Sequence, residues 1–577
     1  MSFIRPDRTL DSASAVSRRG FLQAVAGGSA LLLGQHSMAA MSPAQHAAHS
    51  NASTPVLHGP DIDLVIDHQL ISPTGKATMA TLVNGSLPAP TLRFKEGDTV
   101  TIRVSNRMNV PTSIHWHGIL LPYQMDGVPA ISFDGIAAGT TFTYRFTLKQ
   151  HGTYWYHAHS GFQEQTGLFG ALIIDPKDGP SHQVDREHTI LLSDWTTLDP
   201  VYLLSKLKKH SDFDNHQQPT VQKLLADIEK MGLKNALQQR KMWNQMRMSP
   251  TDFTDLSASS LDYLINGQSG QKPWFGAVKS GETVLLRLIN GSAQTIFDLR
   301  IPDLKLTVIA ADGQAVEPVT VDELRIAVAE TYEVLIQPKQ DAYTMFAQNI
   351  DRSGCIHATL AASPQLHAPI PSIDPPEWLT MTDMMGAMHG DHSNHGAQGA
   401  AKAVNHAKTE YGVSVDMRVD MPRRNLDDAG VNLRDHFSKY GRRVLTYADL
   451  HTIGGSEDTR EPSREIELHL TGNMERYIWG IDGLAYEDAP PVHVGIGERV
   501  RVRFVNDTMM THPMHLHGMW SEIRQPNGDF QVRKHTVMVQ PAQEVSFDLT
   551  GIEGRWAWHC HLLYHMQSGM MREMVVA

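Results

Sequence analysis

Residues 97–106 read GDTVTIRVSN, and the same ten-residue pattern returns as GETVLLRLIN at 281–290 and as GERVRVRFVN at 497–506. Apolar and polar side chains alternate in each copy, which is the pattern of a β-strand with one buried face. A turn-forming Asn-Gly or Asp-Gly pair precedes each copy. This repeated strand pattern predicts an all-β chain built from three β-sandwich domains.

The composition favours an ordered, multidomain chain that is rich in metal-binding side chains. Its 577 residues are too many for one hydrophobic core, and a formal net charge of −12 argues against a nucleic-acid partner. The two cysteines, Cys355 and Cys560, are too few to form a disulfide framework. The chain has 31 His and 27 Met residues, whose side chains suit copper.

The first 40 residues resemble an export signal. Residues 17–34 read SRRGFLQAVAGGSALLLG, in which paired arginines precede a short apolar run. This pattern resembles a twin-arginine (Tat) signal peptide, which directs folded proteins through the Tat export machinery. We therefore expect a mature periplasmic chain without stable membrane insertion, because no segment reaches the roughly 20 apolar residues of a spanning helix.

Four His-x-His pairs occupy matching positions in the first and third repeats. Nine and eleven residues after the repeated asparagine these repeats have histidine, whereas the middle repeat has Leu299 and Ile301. The later segments GTYWYHAH and GRWAWHCH supply two further pairs, against Phe346 and Gln348 in the middle repeat. The pairs are His115 and His117, His157 and His159, His515 and His517, and His559 and His561.

Two imidazoles at positions i and i+2 of a strand point to the same side of that strand. Four such pairs predict a cluster of several metal ions at the interface between the first and third domains. A lone histidine is usually an ordinary polar residue, but that interpretation does not explain eight histidines in repeat-matched pairs. The middle domain lacks all four pairs and is predicted to be a structural spacer.

A second group of metal-binding residues occurs only in the third repeat. Two imidazoles, a thiolate and a weak axial thioether form the blue-copper electron-transfer arrangement. Zinc prefers a closed tetrahedral set and would leave the methionine unused. Cys560 lies between His559 and His561 and so faces the opposite side of the strand, which predicts that one residue joins the two sites. The members of this group are His512, Cys560, His565 and Met570.

The four motifs together resemble those of the multicopper oxidases with three cupredoxin domains, and among them the bacterial periplasmic copper-resistance protein A group. The resemblance covers essentially the whole mature chain. It implies three cupredoxin-like Greek-key β-sandwich domains and four copper ions, of which one is type 1, one is type 2 and two are type 3. The motifs read HWHG at 115–118, YWYHAHSGFQEQ at 154–165, HPMHLHGMW at 512–520 and HCHLLYHMQSGM at 559–570.

The resemblance also implies a role for each metal-binding residue. The type 1 ligands would be His512, Cys560, His565 and Met570. The type 2 ligands would be His115 and His515. The type 3 pair would be bound by His117, His157, His159, His517, His559 and His561.

Two positions bear on proton delivery as the family performs it. Asp126, nine residues after His117, matches an acid that the family uses to assist proton delivery, and a surface-turn carboxylate is the alternative interpretation. Many bacterial members have glutamate directly after the last type 1 histidine, where this chain has Met566. Either another acid substitutes for that glutamate or turnover is slower.

The activity that the resemblance implies couples four one-electron oxidations at the type 1 site to the reduction of dioxygen to water. We expect a copper-resistance enzyme whose substrate is cuprous ion, with Cys560 at the point of electron entry and a periplasmic copper carrier as a partner. A laccase-like oxidase of small phenolic substrates shares all the copper sites and is the nearest alternative. A copper-sequestering binding protein is a second, whereas a structural cell-surface sandwich leaves the histidines unexplained.

The remaining segments complete the predicted organisation. Residues 202–248 have apolar residues three and four apart, the spacing of a helical insertion in or before the middle domain. Residues 381–396 hold methionines and histidines that either recruit copper weakly or belong to a solvated linker. The predicted parts are a signal peptide at 1–40, cupredoxin domain 1 at 55–180, domain 2 at 181–365, a Pro/Met/His-rich linker at 366–440 and domain 3 at 441–577.

Overall fold

The structure, a computed structural model, describes residues 54–246, 248–389 and 404–577. The predicted export signal at 1–40 lies outside the described residues. The part from Thr54 to Ala577 forms one unit, and its strands group into three successive β-sandwiches. Within the described ranges, no helix combines the length and the apolar character needed to cross a bilayer. The expected all-β class with three cupredoxin-like sandwiches is confirmed.

The first sandwich packs a five-stranded sheet, in the order β1-β4-β9-β8-β6, against a four-stranded sheet, in the order β3-β2-β5-β7. A 3-10 helix at Tyr123–Met125 follows β6. Its strands are β1 (Val56–His58), β2 (Asp61–Ile71), β3 (Thr78–Val83), β4 (Ala89–Lys95), β5 (Thr99–Asn106), β6 (His115–His117), β7 (Thr141–Thr147), β8 (Gly152–His157) and β9 (Phe169–Asp175).

The middle sandwich has a seven-stranded sheet, β12-β11-β10-β14-β19-β16-β17, and a five-stranded sheet, β13-β21-β20-β15-β18. Its strands are β10 (Arg186–Trp195), β11 (Asp262–Ile265), β12 (Gln268–Ser269), β13 (Phe275–Ala277), β14 (Val284–Asn290), β15 (Phe297–Arg300), β16 (Leu306–Ala311), β17 (Gln314–Val321), β18 (Glu323–Ile326), β19 (Thr331–Ile336), β20 (Ala342–Asn349) and β21 (Cys355–Ala361).

The third sandwich has a six-stranded sheet, β23-β22-β25-β30-β27-β28, and a five-stranded sheet, β24-β32-β31-β26-β29. Its elements are β22 (Arg464–Asn473), β23 (Ile478–Ile481), β24 (Val492–Val494), β25 (Arg499–Asn506), β26 (His512–Leu516), β27 (Ser521–Arg524), β28 (Phe530–Lys534), β29 (Thr536–Val539), β30 (Glu544–Thr550), β31 (Gly554–Cys560) and β32 (Met571–Val576), with a 3-10 helix at Tyr486–Asp488.

The helical insertion predicted at 202–248 lies between β10 and β11 of the middle sandwich. Asp199 caps the first helix by accepting the Val201 N–H. Its helices are α1 (Pro200–Leu207), α2 (Val221–Met231) and α3 (Leu233–Met246). A separate short helix, α6 (Leu563–Gln567), follows β31 in the third sandwich.

The connection between the second and third sandwiches contains only short helices among its described residues. Its α-helices are α4 (Met381–Met385) and α5 (His436–Tyr440), and its 3-10 helices are Gly386–His389, Lys408–Tyr411 and Tyr447–Asp449. Met384, one of the methionines considered for copper recruitment, is buried in the hydrophobic core. His392 and His395, from the same prediction, lie outside the described residues. The predicted domain boundaries and the copper-recruiting role stay predictions.

The asparagine that ends each repeated strand has the same buried hydrogen bonds in all three sandwiches. The amide of Asn106 donates to the carbonyls of Val110 and Ile136, and its oxygen accepts the Met108 N–H. Asn290 and Asn506 make the corresponding three bonds to their own loops and strands. The repeat thus preserves a support for the loop that leads to the next strand.

Replacing Asn290 by alanine tests this support in the sandwich that lacks histidine pairs. Two buried carbonyls and one N–H would lose their partner, so we expect the free energy of unfolding to fall by about 2–4 kcal/mol. Chemical denaturation of the purified chain measures the change. Asn235→Ala, at an exposed position of α3, is the control and should leave stability nearly unchanged. An equal effect of both variants would contradict the interpretation.

Candidate metal centres

Strand pairing brings the predicted histidine pairs face to face. In the first sandwich β6 pairs with β8 so that His115 lies opposite His157. In the third sandwich β26 pairs with β31 so that His515 lies opposite His559. Residues directly opposite in an antiparallel ladder share a face, so each outer sandwich presents two pairs on one surface.

These two surfaces meet, and the eight imidazoles fall into three groups that each combine both sandwiches. His115 and His515 approach with their Nε2 atoms 3.4 Å apart. In the second group the Nε2 atom of His559 lies 3.2 Å from that of His159 and 3.0 Å from that of His517. In the third group, one ring nitrogen of each residue lies within 4.8 Å of the others. The third group is His117, His157 and His561.

Most imidazoles of this cluster are held in their uncharged form by their surroundings. Seven of the eight histidines are at most 2% exposed, and His159 is half-buried. Burial, with a smaller contribution from the His115 ring, lowers the pKa of His559 to about 4. The same causes lower the pKa of His117 and His517 well below its usual value. Neutral imidazoles keep a lone pair that a metal ion can use.

Most rings donate their Nδ1–H away from the cluster, which turns Nε2 inward. The acceptors are carbonyls or carboxylates, a typical arrangement around metal-binding histidines. The contacts are His115 to the Asp126 carbonyl (2.8 Å), His157 to Glu164 Oε2 (2.6 Å), His515 to the His535 carbonyl (2.6 Å), His517 to Asp126 Oδ2 (2.9 Å) and His559 to the Cys560 carbonyl (2.9 Å).

Two of the inward nitrogens test whether the cluster fits metal ions. The Nε2 atoms of His157 and His561 are buried and have no hydrogen-bond partner. An unpartnered buried nitrogen is costly in a folded protein unless something else binds it. The donor set and its unpaired atoms therefore fit bound metal.

Asp126 joins the first sandwich to the third at this cluster. Its carbonyl accepts from His115 and its carboxylate from His517, and the residue is fully buried. The interpretation as a surface-turn carboxylate is therefore wrong. The next residue, Gly127, has φ +85°, and a Cβ atom there would lie 1.8 Å from the Ile114 carbonyl oxygen. Only glycine lets the Asp126 loop approach β6 so closely.

The third-repeat group also comes together, on the other side of β31. The Sγ atom of Cys560 lies 3.5 Å from His512 Nδ1 and 3.8 Å from His565 Nδ1. The two Nδ1 atoms are 3.2 Å apart. Ligands bound to one ion at about 2.0–2.3 Å in a trigonal plane are about 3.4–4.0 Å apart, so this triangle fits a single metal ion. Met570 is fully buried, and its carbonyl accepts the Cys560 N–H.

The thiol of Cys560 needs a cation to ionise. Burial raises the pKa of Cys560 far above its usual value, so the metal-free side chain is a neutral thiol. A coordinating metal ion removes such a proton, which is how thiolate ligands form in buried sites. The other free cysteine, Cys355, is half-buried in β21.

The middle sandwich supplies a carboxylate to this mononuclear group, which its interpretation as a spacer did not include. Asp255 Oδ2 lies 2.8 Å from His565 Nε2 and accepts the Tyr477 hydroxyl at 2.9 Å. On the other ligand, the Thr508 hydroxyl lies 2.7 Å from His512 Nε2. No motif marks Asp255, which lies between α3 and β11, outside the repeated segments.

Two further residues beside the cluster were missed from the sequence. Glu164 contacts His157 and lies 4.0 Å from His561 Nδ1, and burial raises its pKa well above the usual value. Glu164 could have been identified from the sequence, since it lies within the YWYHAHSGFQEQ motif. His535 Nδ1 lies 3.2 Å from His117 Nε2. Nothing in its local sequence distinguishes His535 from other histidines of the chain.

Comparison with protein families agrees with this geometry. A family model described as multicopper oxidase matches each sandwich, at residues 66–179, 186–364 and 459–577. Together the three matches cover most of the chain, and the chain belongs to the multicopper oxidase family. It is a copper-dependent oxidoreductase.

Within that family the chain is similar to copper-resistance proteins over nearly its whole length. It is 48% identical to Copper resistance protein A of Escherichia coli, over 92% of this chain and 95% of the relative. It is 47% identical to a Copper resistance protein A homolog of Pseudomonas syringae pv. tomato, over 90% and 93%. Both similarities support a part in copper resistance.

Solved structures share the fold at lower sequence identity. A laccase from Botrytis aclada matches with a TM-score of 0.60 and 20% identity, over 91% of this chain and 89% of the other. A multicopper oxidase from Campylobacter jejuni matches with a TM-score of 0.56 and 19% identity, over 91% and 94%. These likenesses concern the fold alone.

Exchange of each cysteine for serine separates the mononuclear site from the cluster. We expect Cys560→Ser to lose the blue thiolate-to-copper absorption and one copper ion per chain, because serine cannot supply the thiolate. The cluster on the opposite side of β31 should keep its copper. Visible absorption and metal analysis measure both effects.

Cys355→Ser is the matched control, since Cys355 lies in the middle sandwich. It should keep the blue absorption and the full copper content. Blue absorption that survives in Cys560→Ser would show that the thiolate lies elsewhere.

Proposed function

We propose that the chain is a periplasmic oxidase that removes single electrons from cuprous ion and reduces dioxygen to water, in the service of copper resistance. The cupric product is less toxic than the substrate. The observation that carries this proposal is at the end of β31, where His559 and the following His561 belong to the cluster and Cys560 between them belongs to the mononuclear group. This arrangement joins an electron-accepting site directly to a site that can bind several ions.

The proposed ligand sets follow the groups of donor atoms, for four copper ions in all. When bound, copper supplies one-electron chemistry at the thiolate site and dioxygen reduction at the cluster. The type 1 ion would be bound by His512, Cys560, His565 and Met570. The type 2 ion would be bound by His115 and His515, and the two type 3 ions by His117, His157, His159, His517, His559 and His561.

The protein connects the two sites by a short path. The carbonyl of Cys560 accepts a hydrogen bond from its neighbour, the Nδ1–H of His559, at 2.9 Å. The thiol is therefore joined to a cluster imidazole through one residue's own bonds and a single hydrogen bond. Both residues are buried, so this path is shielded from water.

Two buried carboxylates are placed to serve proton delivery. Asp126 Oδ2 holds the Nδ1 proton of His517, and Glu164 Oε2 holds that of His157. In this proposal Asp126 assists proton delivery on one side of the cluster. Glu164 takes the part of the acid that is missing at Met566.

The surroundings of His565 favour a metal-ion substrate over a phenol. The outer nitrogen of this ring faces Asp255, and both side chains are at most 2% exposed. A phenol could reach the ring only by displacing that carboxylate. A carboxylate in this place instead attracts a cation. An electron from that cation can then pass through the carboxylate to the His565 ring. Cuprous ion is therefore the proposed substrate, and the export signal predicted at 1–40 supports periplasmic action.

Oxygen consumption by the copper-loaded chain tests the proposal. We expect four cuprous ions to be oxidised for each dioxygen, without accumulation of hydrogen peroxide. Asp126→Asn should lower the rate about 10- to 100-fold, because it weakens an acceptor behind a metal-binding ring. Asp134→Asn, at an exposed position nearby, is the control. Another stoichiometry, or an unchanged rate in Asp126→Asn, would contradict the proposal.

Copper tolerance of cells separates an oxidase from a sequestering protein. If catalysis protects the cell, Cys560→Ser should abolish tolerance while Cys355→Ser preserves it, at equal protein levels. Tolerance that survives in Cys560→Ser, together with many more than four bound ions, would favour sequestration.

Substrate choice can be tested at Asp255. In Asp255→Ala the outer edge of His565 becomes free of its carboxylate, so we expect about tenfold slower cuprous oxidation and faster oxidation of a small methoxyphenol. Steady-state rates with both substrates measure the exchange. Asp262→Ala, an exposed position on β11, should change neither rate. Equal loss with both substrates would mean that Asp255 supports the site without selecting the substrate.

A further inference from the structure

A second convergence of imidazoles and carboxylates lies in the third sandwich and the connection before it. Its members come from three separate segments and include none of the proposed copper ligands. One donor atom of each member lies within 4.8 Å of the donor atoms of the others. Their side chains are between 0% and 4% exposed. The members are His406, Glu410, His469 and Asp507.

Each carboxylate of this group is fixed by the backbone through one oxygen. Glu410 Oε1 accepts the Ala407 N–H at 2.8 Å, at the start of the Lys408–Tyr411 turn. Asp507 Oδ1 accepts the Val419 N–H at 2.8 Å. The second oxygen of each carboxylate is left to face the imidazoles. The acidic groups are therefore positioned before any ligand arrives.

The four inward atoms form a compact set of two nitrogens and two oxygens. The Nδ1 atom of His406 lies 2.6 Å from Glu410 Oε2 and 3.5 Å from Asp507 Oδ2. The Nδ1 atom of His469 lies 2.7 Å from Asp507 Oδ2 and 3.4 Å from Glu410 Oε2. Neighbouring ligands at about 2.0–2.2 Å from one ion are about 2.8–3.6 Å apart. The two longer distances fall within that range, and the two shorter ones lie just below it.

The outer nitrogen of the His469 ring has a partner of the kind expected behind a metal-binding histidine. His469 Nε2 lies 3.3 Å from Glu467 Oε1. A carboxylate at this position orients the ring and strengthens the opposite nitrogen as a ligand. His406 Nε2, by contrast, is buried without a hydrogen-bond partner, 3.4 Å from the exposed Asp420 carboxylate. The His406 ring is held instead by the contacts of its Nδ1 atom with Glu410 and Asp507.

The charges of the group call for two positive charges at its centre. Two carboxylates and two neutral imidazoles carry a charge of −2, which one divalent ion or two protons would neutralise. In the metal-free chain burial lowers the pKa of His469, but hydrogen bonds to Asp507 and Glu467 outweigh this and raise it to about 10. A metal ion must therefore compete with a proton, as it does at other histidine sites.

We propose that His406, Glu410, His469 and Asp507 bind a further divalent transition-metal ion, and that cupric ion is the form of copper they select. Two imidazoles and two carboxylates suit tetragonal cupric ion, which binds such ligands more tightly than the other divalent first-row ions. Cuprous ion prefers thiolate and thioether ligands, which this set lacks. The site is therefore selective for oxidised copper.

The position of the site links it to the mononuclear group. Asp507 precedes Thr508, whose hydroxyl contacts the His512 ring. An ion at this site would therefore be bound one residue away from a side chain that contacts a proposed type 1 ligand. The binding proposal rests on the proposed function in one respect only. The copper ions of the mononuclear group and the cluster must be subtracted from the total copper content before the added ion is counted.

Equilibrium dialysis of the copper-loaded chain against cupric ion at neutral pH tests the site. We expect the wild-type chain to bind one copper ion more than Glu410→Gln or His406→Ala, by metal analysis. Glu487→Gln and His493→Ala, both at exposed positions, are matched controls and should retain the added ion. The paramagnetic resonance spectrum of the added ion should show coupling to two imidazole nitrogens.

Equal cupric binding by the wild-type chain and both site variants would overturn the proposal and leave an ion-pair network. If a variant fails to fold, the spectrum of the wild-type chain alone still tests the proposal. An added cupric ion that shows no coupling to two imidazole nitrogens would overturn the proposed site. Blue absorption and oxygen consumption, recorded on the same samples, distinguish the two proposals. Failure of the proposed function alters them in every sample, whereas failure of this site removes only the difference between wild type and variants.

Discussion

Side chains alternate across a β-strand, and the chemistry of this protein depends on that alternation at the end of β31, in its last two residues and the one that follows. His559 and His561 face one donor group, and Cys560 faces the other. No loop or cofactor has to bridge the two groups, because the strand itself does so. The rest of the third sandwich holds this strand between β26 and β32, so that neither face can rotate without breaking two ladders.

The cluster exists only where two sandwiches meet, and the middle sandwich helps to hold them. Lys534 is fully buried, with its Nζ 3.2 Å from Asp312 Oδ2 and 3.0 Å from Glu330 Oε1 of the middle sandwich. The same Asp312 carboxylate accepts the N–H groups of His535 and Thr536 beside the cluster. Breaking such a buried pair leaves an uncompensated charge. The contact therefore fixes the position of the third sandwich relative to the middle one.

The sequence predicted the fold class and the grouping of donors because both are local periodic features. The alternation around Asn106, Asn290 and Asn506 marks the strands, and spacing of two residues places paired histidines on one face. Asp255 could not be predicted in this way. Its contact with His565 depends on how the middle sandwich packs, and no period in the chain records that packing. The group around His406 and His469 is hidden for the same reason.

The three repeated asparagines also explain how the middle sandwich can keep its fold without the metal-binding histidine pairs. Asn290 keeps the same hydrogen bonds as Asn106 and Asn506, although no histidine follows it at the matching positions. Scaffold and chemistry therefore occupy separate positions within each duplicated unit. A copy of the unit can lose its ligands and persist as architecture, and its surface is then free to acquire new contacts, as Asp255 has done. A repeated unit of this kind can therefore differ in role from its neighbours and keep the same fold.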